Sequence, residues 1–291
     1  FTTATDSFNT AVGYNAGYAV TTAQNSTFVG GLSGDAITTG GQNTALGAYS
    51  LTSDTLGKSS TAIGYRALQS QNFTTTTDSY NVALGLDTGR QITTGVQNTL
   101  VGALAGDALT TGEANVALGY QALTTDTLGK NSVAVGYNAL ATQNYATATN
   151  AYNTAVGSLA GNSVSTGQQN TFLGGQAGRN ATSGDNNTAV GIFAMANGNV
   201  TGGTNTSLGY AAMFALTSGS NNTALGKDAG RSGSPGGNIT TGSNQLALGD
   251  ENVSSAFVQV DWTISSDERD KTDFADLDLG LDFVKALEPV T

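Results

Sequence analysis

The pattern Asn-(Thr/Ser/Val)-x-(Val/Leu/Ile)-Gly recurs from one end of this 291-residue chain almost to the other. No other feature constrains its fold as tightly, because a short period repeated many times can only stack. Clear copies are Asn9–Gly13, Asn43–Gly47, Asn81–Gly85, Asn98–Gly102, Asn115–Gly119, Asn153–Gly157, Asn170–Gly174, Asn187–Gly191, Asn205–Gly209 and Asn222–Gly226. Copies led by serine end at Gly30, Gly64 and Gly136, and a degenerate last copy ends at Gly249. The fourteen closing glycines are separated by 17, 17, 17, 21, 17, 17, 17, 21, 17, 17, 18, 17 and 23 residues. A second order lies above the first: residues 51–85 match residues 123–157 at an offset of 72, and residues 1–13 match the end of the same block. The four-residue insertions before Gly85 and Gly157 recur with it.

Each unit reads as one coil. The apolar alternation over four or five residues is a strand signal, and no sustained 3.6-residue stripe points to helices. The closing glycine opens the left-handed region for a turn. The runs Thr38-Thr39-Gly40, Thr93-Thr94-Gly95, Thr110-Thr111-Gly112 and Thr240-Thr241-Gly242 supply a second turn. The fold expected is all-β: a parallel β-solenoid or β-roll of about fourteen 17-residue coils over residues 1–250, with two short strands per coil. At a strand spacing of about 4.8 Å the coils make a rod of roughly 65 Å, with a ladder of stacked asparagines along it. In Thr10-Ala11-Val12 the outer side chains share one face and are the expected core, while the alanine face is expected to meet other chains on a common axis as a homotrimer.

Composition narrows the function. With no histidine and no cysteine, zinc fingers, iron–sulfur centres and Ser-His-Asp or Cys-His catalysis are excluded, and no disulfide forms. A net charge of −11 with ten scattered basic residues opposes nucleic-acid binding, and no apolar run approaches a membrane span. No cofactor or metal site is expected: no Gly-Lys-Ser/Thr follows the glycine spacings, the glycine–aspartate calcium repeat is missing, and Asp35, Asp107 and Asp228 are dispersed. The threonine pairs read as turns rather than as the flat arrays of ice-binding solenoids, because the 21-residue spacings interrupt them. Tyr14, Tyr65, Tyr120, Tyr137 and Tyr210 follow the repeat glycine at one coil position and are expected to stack as a ladder rather than to bind sugar. The chain opens at Phe1 without methionine and reads as an excerpt of a longer protein.

Asn131-Ser132-Val133-Ala134-Val135-Gly136 resembles the head repeat of trimeric autotransporter adhesins, a likeness that covers about residues 1–250 but departs in its 17-residue period. It implies a parallel β-roll in three chains about a threefold axis; similar arrays occur in bacteriophage tail fibres. Residues 251–265 form a junction. Residues 251–291 hold 10 of the 21 acidic and 3 of the 10 basic residues, a net of −7 against −4 for the first 250. There, Ser266-Asp267-Glu268-Arg269-Asp270-Lys271 resembles the motif that opens the C-terminal intramolecular chaperone domain of phage tailspikes and tail fibres. Leu281–Val290 is similar to the helix and Leu-x-Pro-Val segment that follow it, so 266–291 reads as the truncated start of that domain, of mixed or helical structure. The resemblance implies self-cleavage between Ser265 and Ser266, with Ser266 as nucleophile and Lys271 as base. Taken alone, Ser266-Asp267 reads equally as a helix N-cap.

The expected function is therefore a structural and adhesive tail-fibre segment in the virion. Its partners are its own copies and a host cell-surface receptor, for which a polysaccharide is one candidate. Receptor contacts are placed on the insertions at 70–79 and 142–151, where coils bulge outward. The alternative is the head of a bacterial trimeric surface adhesin. A polysaccharide-degrading tailspike needs facing carboxylates, and the first 250 residues hold 11 dispersed acids, so the repeats do not read as an enzyme.

Overall fold

In a computed structural model the described residues are 6–257 and 259. The first compact unit is Phe1–Val253 and the second is Ser254–Thr291. Among the described residues the first unit is all-β without a helix, a parallel solenoid of about 13 turns. Fourteen three-residue strands, from Thr10–Val12 to Leu246–Leu248, stack in one parallel sheet in chain order. The register never slips: Thr10 pairs with Thr27, Ala11 with Phe28 and Val12 with Val29, and the same positions pair down the sheet. A 21-residue coil enters this register as readily as a 17-residue one, so Thr61 pairs with Val82 across the first insertion.

One strand per coil, rather than the two expected, is the rule. Among the described residues a second ladder forms at the insertions, where Gly57–Lys58 pairs with Thr77–Asp78 and Gly129–Lys130 pairs with Thr149–Asn150, and an isolated bridge joins Ala181 and Val200. In every coil from Gly13 to Gly226 the backbone two and four residues after the closing glycine is left-handed, as at Arg66 (φ 58) and Leu68 (φ 50), which bars extended structure there. Its N–H groups still bond from coil to coil, for example Leu51 N to Ala67 O at 3.0 Å. The closing glycines also sit at positive φ, and a Cβ on Gly30 would lie 2.6 Å from the Gly47 carbonyl carbon. Only glycine allows coils to stack this closely.

The faces of the sheet are the reverse of the expectation. The central strand residues Ala45, Ala62, Ala83, Ala117 and Ala134 are wholly buried inside the coil, while Leu46, Leu84 and Leu118 lie outside. The alanine face is therefore each coil's own core and not an intersubunit face. The physical reason is width. The turn after each glycine doubles back beneath the sheet and buries its own alanines, such as Ala67, Ala105 and Ala122, leaving room directly under the strand for one large side chain per level, beside further apolar residues such as Ile37, Ile92 and Leu109.

That side chain comes alternately from two places. Phe28, Leu100 and Phe172, 72 residues apart, fill the interior from the strand, and they are flanked by glycines four residues past the closing glycine. A Cβ on Gly17 would stand 2.9 Å from the Phe28 ring, and one on Gly161 2.8 Å from the Phe172 ring. Where the strand contributes alanine, the flanking positions are Leu51, Leu68, Leu123, Leu140, Met195 and Met213, all buried. Core volume is thus conserved by exchange between strand and turn.

Candidate functional site

Three features of the solenoid carry chemistry: a polar ladder inside it, two buried carboxylate networks, and an exposed aliphatic face. The asparagine ladder forms as the sequence predicts. Asn98 Oδ1 accepts the Asn115 N–H at 3.1 Å, and Asn98 Nδ2 donates to the Gly112 carbonyl at 2.9 Å. Asn115, Asn170, Asn187 and Asn205 repeat both bonds. Each buried amide thereby closes two backbone groups that the turns leave open.

The ladder changes where serine replaces asparagine just before an insertion. The shorter Ser60 leaves space for Gln71, whose Nε2 donates to Ser60 Oγ at 2.8 Å and to Asp54 Oδ2 at 2.6 Å. Gln71 Oε1 accepts from Asn81 at 2.9 Å, and Asp54 Oδ1 accepts the Gly57 N–H at 2.9 Å. The arrangement recurs 72 residues later with Asp126, Gly129, Ser132, Gln143 and Asn153. There Tyr145 adds a hydrogen bond from its hydroxyl to the Gly167 carbonyl at 2.7 Å. Burial pushes the carboxyls of Asp54 and Asp126 above the ordinary range, and the donated hydrogen bonds oppose it in part. Sequence reasoning missed these residues, although a signal existed: Asp54, Gln71, Asp126 and Gln143 occupy the coil position of buried Ile37, Ile92 and Leu109.

The outward face of the sheet is aliphatic without interruption. The residue before each closing glycine is Val12, Val29, Leu46, Ile63, Leu84, Val101, Leu118, Val135, Val156, Leu173, Val190, Leu208, Leu225 or Leu248. Leu46, Leu84, Leu118, Leu173, Leu208 and Leu225 are each 40–48% exposed. Threonine or valine, and Leu246 in the last strand, flank this column on one side. The tyrosines after the closing glycine flank the other, but not as the continuous ladder expected. Only Tyr120 and Tyr137 occupy adjacent coils and stack, at 5.9 Å; Tyr65 meets Tyr49 edge-on and Tyr210 meets Phe193. Gly31, Ala48, Leu86 and Ala103 stand at the intervening levels.

The insertions are only partly outward. Gln71, Phe73 and Ser79 are buried, as are Gln143, Tyr145 and Ala151, and residues 74–78 and 146–150 form the exposed part. In the last coils, Lys227 pairs with Asp228 and Asp250 at 2.6 and 3.1 Å, and Asp228 also binds Arg231. These four charges cancel, and with Glu251 they line a depression of about 220 Å³. Ser266 and Lys271, with the whole segment 266–291, lie outside the described residues. No protein-family model matches the chain, and no curated protein matches it either.

Proposed function

We propose that this chain is a structural and adhesive segment of a bacteriophage tail fibre, homotrimeric and displayed outside the host, that serves in host-surface attachment. The observation that carries the reading is the exposed aliphatic column. A monomer rarely leaves an apolar patch larger than a few hundred Å² in water, whereas fourteen levels at about 4.8 Å make a stripe roughly 60 Å long. Completing the burial of each half-exposed aliphatic is worth about 1 kcal/mol, hence on the order of 10 kcal/mol per chain before association costs. Copies of the same chain fit best, because only an identical solenoid repeats its apolar side chains with the same axial period. The segment 266–291 adds, by resemblance, the start of a chaperone that aligns three chains and cuts between Ser265 and Ser266. The repeat Asn131–Gly136 favours a second reading, the head of a bacterial surface adhesin, built on the same trimer.

Light scattering on the purified chain tests the assembly. A mass near three times 29.2 kDa is expected, with the Leu84→Lys/Leu118→Lys variant falling to 29.2 kDa while retaining its β circular dichroism. A folded wild-type chain at 29.2 kDa overturns the trimer.

A further inference from the structure

We propose that the edge of the solenoid marked by Phe8, Tyr80 and Tyr152 binds a neutral hexose polysaccharide, the aromatic rings receiving pyranose faces and the polar side chains between them bonding the hydroxyls. The inference deepens the attachment reading above and rests on it for the origin of the glycan.

It starts from a residue choice that folding does not explain. The position five residues before each closing glycine is left-handed in every coil, with φ 57 at Asn25, 62 at Gln42, 59 at Ser59 and 62 at Gln97. Asparagine, glutamine and small residues fill most of its copies. Phe8, Tyr80 and Tyr152 alone are aromatic, at φ 48, 49 and 49, and they are spaced 72 residues apart. A bulky side chain is disfavoured in this region of φ. The three side chains gain little packing in return: they are 75%, 57% and 54% exposed, and among the described residues none stacks on another ring. An outlier held without a structural return marks a surface kept for a ligand.

The surroundings define the ligand. Between Phe8 and Tyr80 the same column carries Asn25, Gln42 and Ser59. Backbone bonds hold its levels together, Asn25 N to Ser7 O and Gln42 N to Gln24 O at 2.8 Å and Ser59 N to Gly41 O at 3.2 Å. Thr22, Gln24, Asn25, Thr39, Gln42 and Lys58 line a depression of about 240 Å³ there. The next interval, between Tyr80 and Tyr152, carries Gln97, Ala114 and Asn131, and its Lys130 is neutralised by Glu113 at 2.6 Å. Aromatic rings at intervals of four coils, roughly 19 Å, joined by amides and hydroxyls, fit a linear sugar polymer. Lys58 faces Asp78 across the paired strands Gly57–Lys58 and Thr77–Asp78, so the edge presents little net charge. With a net −4 over the first 250 residues, the preferred polymer is neutral rather than acidic.

The test is saturation-transfer NMR on the full chain with dextran, mannan and galactan, and with polysialic acid as the acidic comparison. Ring C–H signals are expected from at least one neutral polymer and none from polysialic acid. Tyr80→Ala/Tyr152→Ala should weaken binding about tenfold while leaving the light-scattering mass and circular dichroism unchanged. No signal from any neutral polymer, a preference for polysialic acid, or undiminished signal in the double variant overturns the site. So does a fall in mass of that variant, because the rings then belong to subunit packing. The wild-type mass in the same sample reports separately on the fibre reading.

Discussion

The exchange of core volume between strand and turn can be tested at Phe172 and Gly178. Phe172 is wholly buried, and a side chain on Gly178 would overlap its ring. Phe172→Ala opens a phenyl-sized void and should cost about 3–5 kcal/mol. Gly178→Leu alone sets a side chain at φ 59, worth about 1–2 kcal/mol of backbone strain, and overpacks the core for a further 1–3 kcal/mol or so. Independent effects therefore sum to about 5–10 kcal/mol. In the double variant the leucine occupies the space that Phe172 vacates, as Leu140 and Met195 do at equivalent turns with φ 49 and 51. Only the backbone strain and an imperfect fit then remain, about 2–3 kcal/mol, so the coupling energy should be no less than about 2 kcal/mol. Equilibrium urea unfolding of all four proteins, followed by circular dichroism at one protein concentration, measures it. A double variant as unstable as the sum of the singles would falsify the exchange.

The buried carboxylates make a pH prediction of definite sign. Asp54 and Asp126 bind protons more tightly folded than unfolded, so stability rises as pH falls from neutrality toward the ordinary value of 3.8. Asp228 and Asp250 are held below that value, chiefly by Lys227 for Asp228 and by the Asn252 backbone for Asp250. Their loss acts only at still lower pH, so urea midpoints should peak in mild acid; Asp54→Asn/Asp126→Asn should flatten the rise, and an unchanged slope refutes the assignment. Asn98→Ala strands the Asn115 N–H and the Gly112 carbonyl and should cost about 2–4 kcal/mol, read as a urea midpoint shift at unchanged m. If the chaperone resemblance holds, Ser266→Ala in a longer chain that continues past Thr291 abolishes cleavage at Ser265–Ser266, seen by mass spectrometry; persistent cleavage removes Ser266 as nucleophile.

Coil length, strand position and the asparagine ladder were legible because each depends on a local pattern that every copy repeats. An asparagine four residues before a turn glycine finds the same kind of backbone partner in the next coil, so the ladder resumes at Asn81 and Asn153 after the 21-residue spacings, where Gln71 and Gln143 bridge the serine levels. The absence of a second strand from most coils was not legible, since Arg66 and Leu68 adopt left-handed backbone that neither residue type announces. Coil-to-coil hydrogen bonds impose that conformation, and they exist only once neighbouring coils are in place.

The inversion of the sheet has the same kind of cause. Burial ranks valine and leucine above alanine as core residues, and by that rule Thr10 and Val12 outrank Ala11. The rule presumes an interior wide enough to hold them. In a 17-residue coil the turn lies directly under the strand, so the strand's inward position admits alanine at most levels and a phenylalanine or leucine where glycines in the flanking turns make room. The larger aliphatics are excluded from the core by size rather than by polarity, and they stay on the outer face in all fourteen copies. The assembly proposed above would give this column its counterpart, because burying it against further copies of the chain removes it from water.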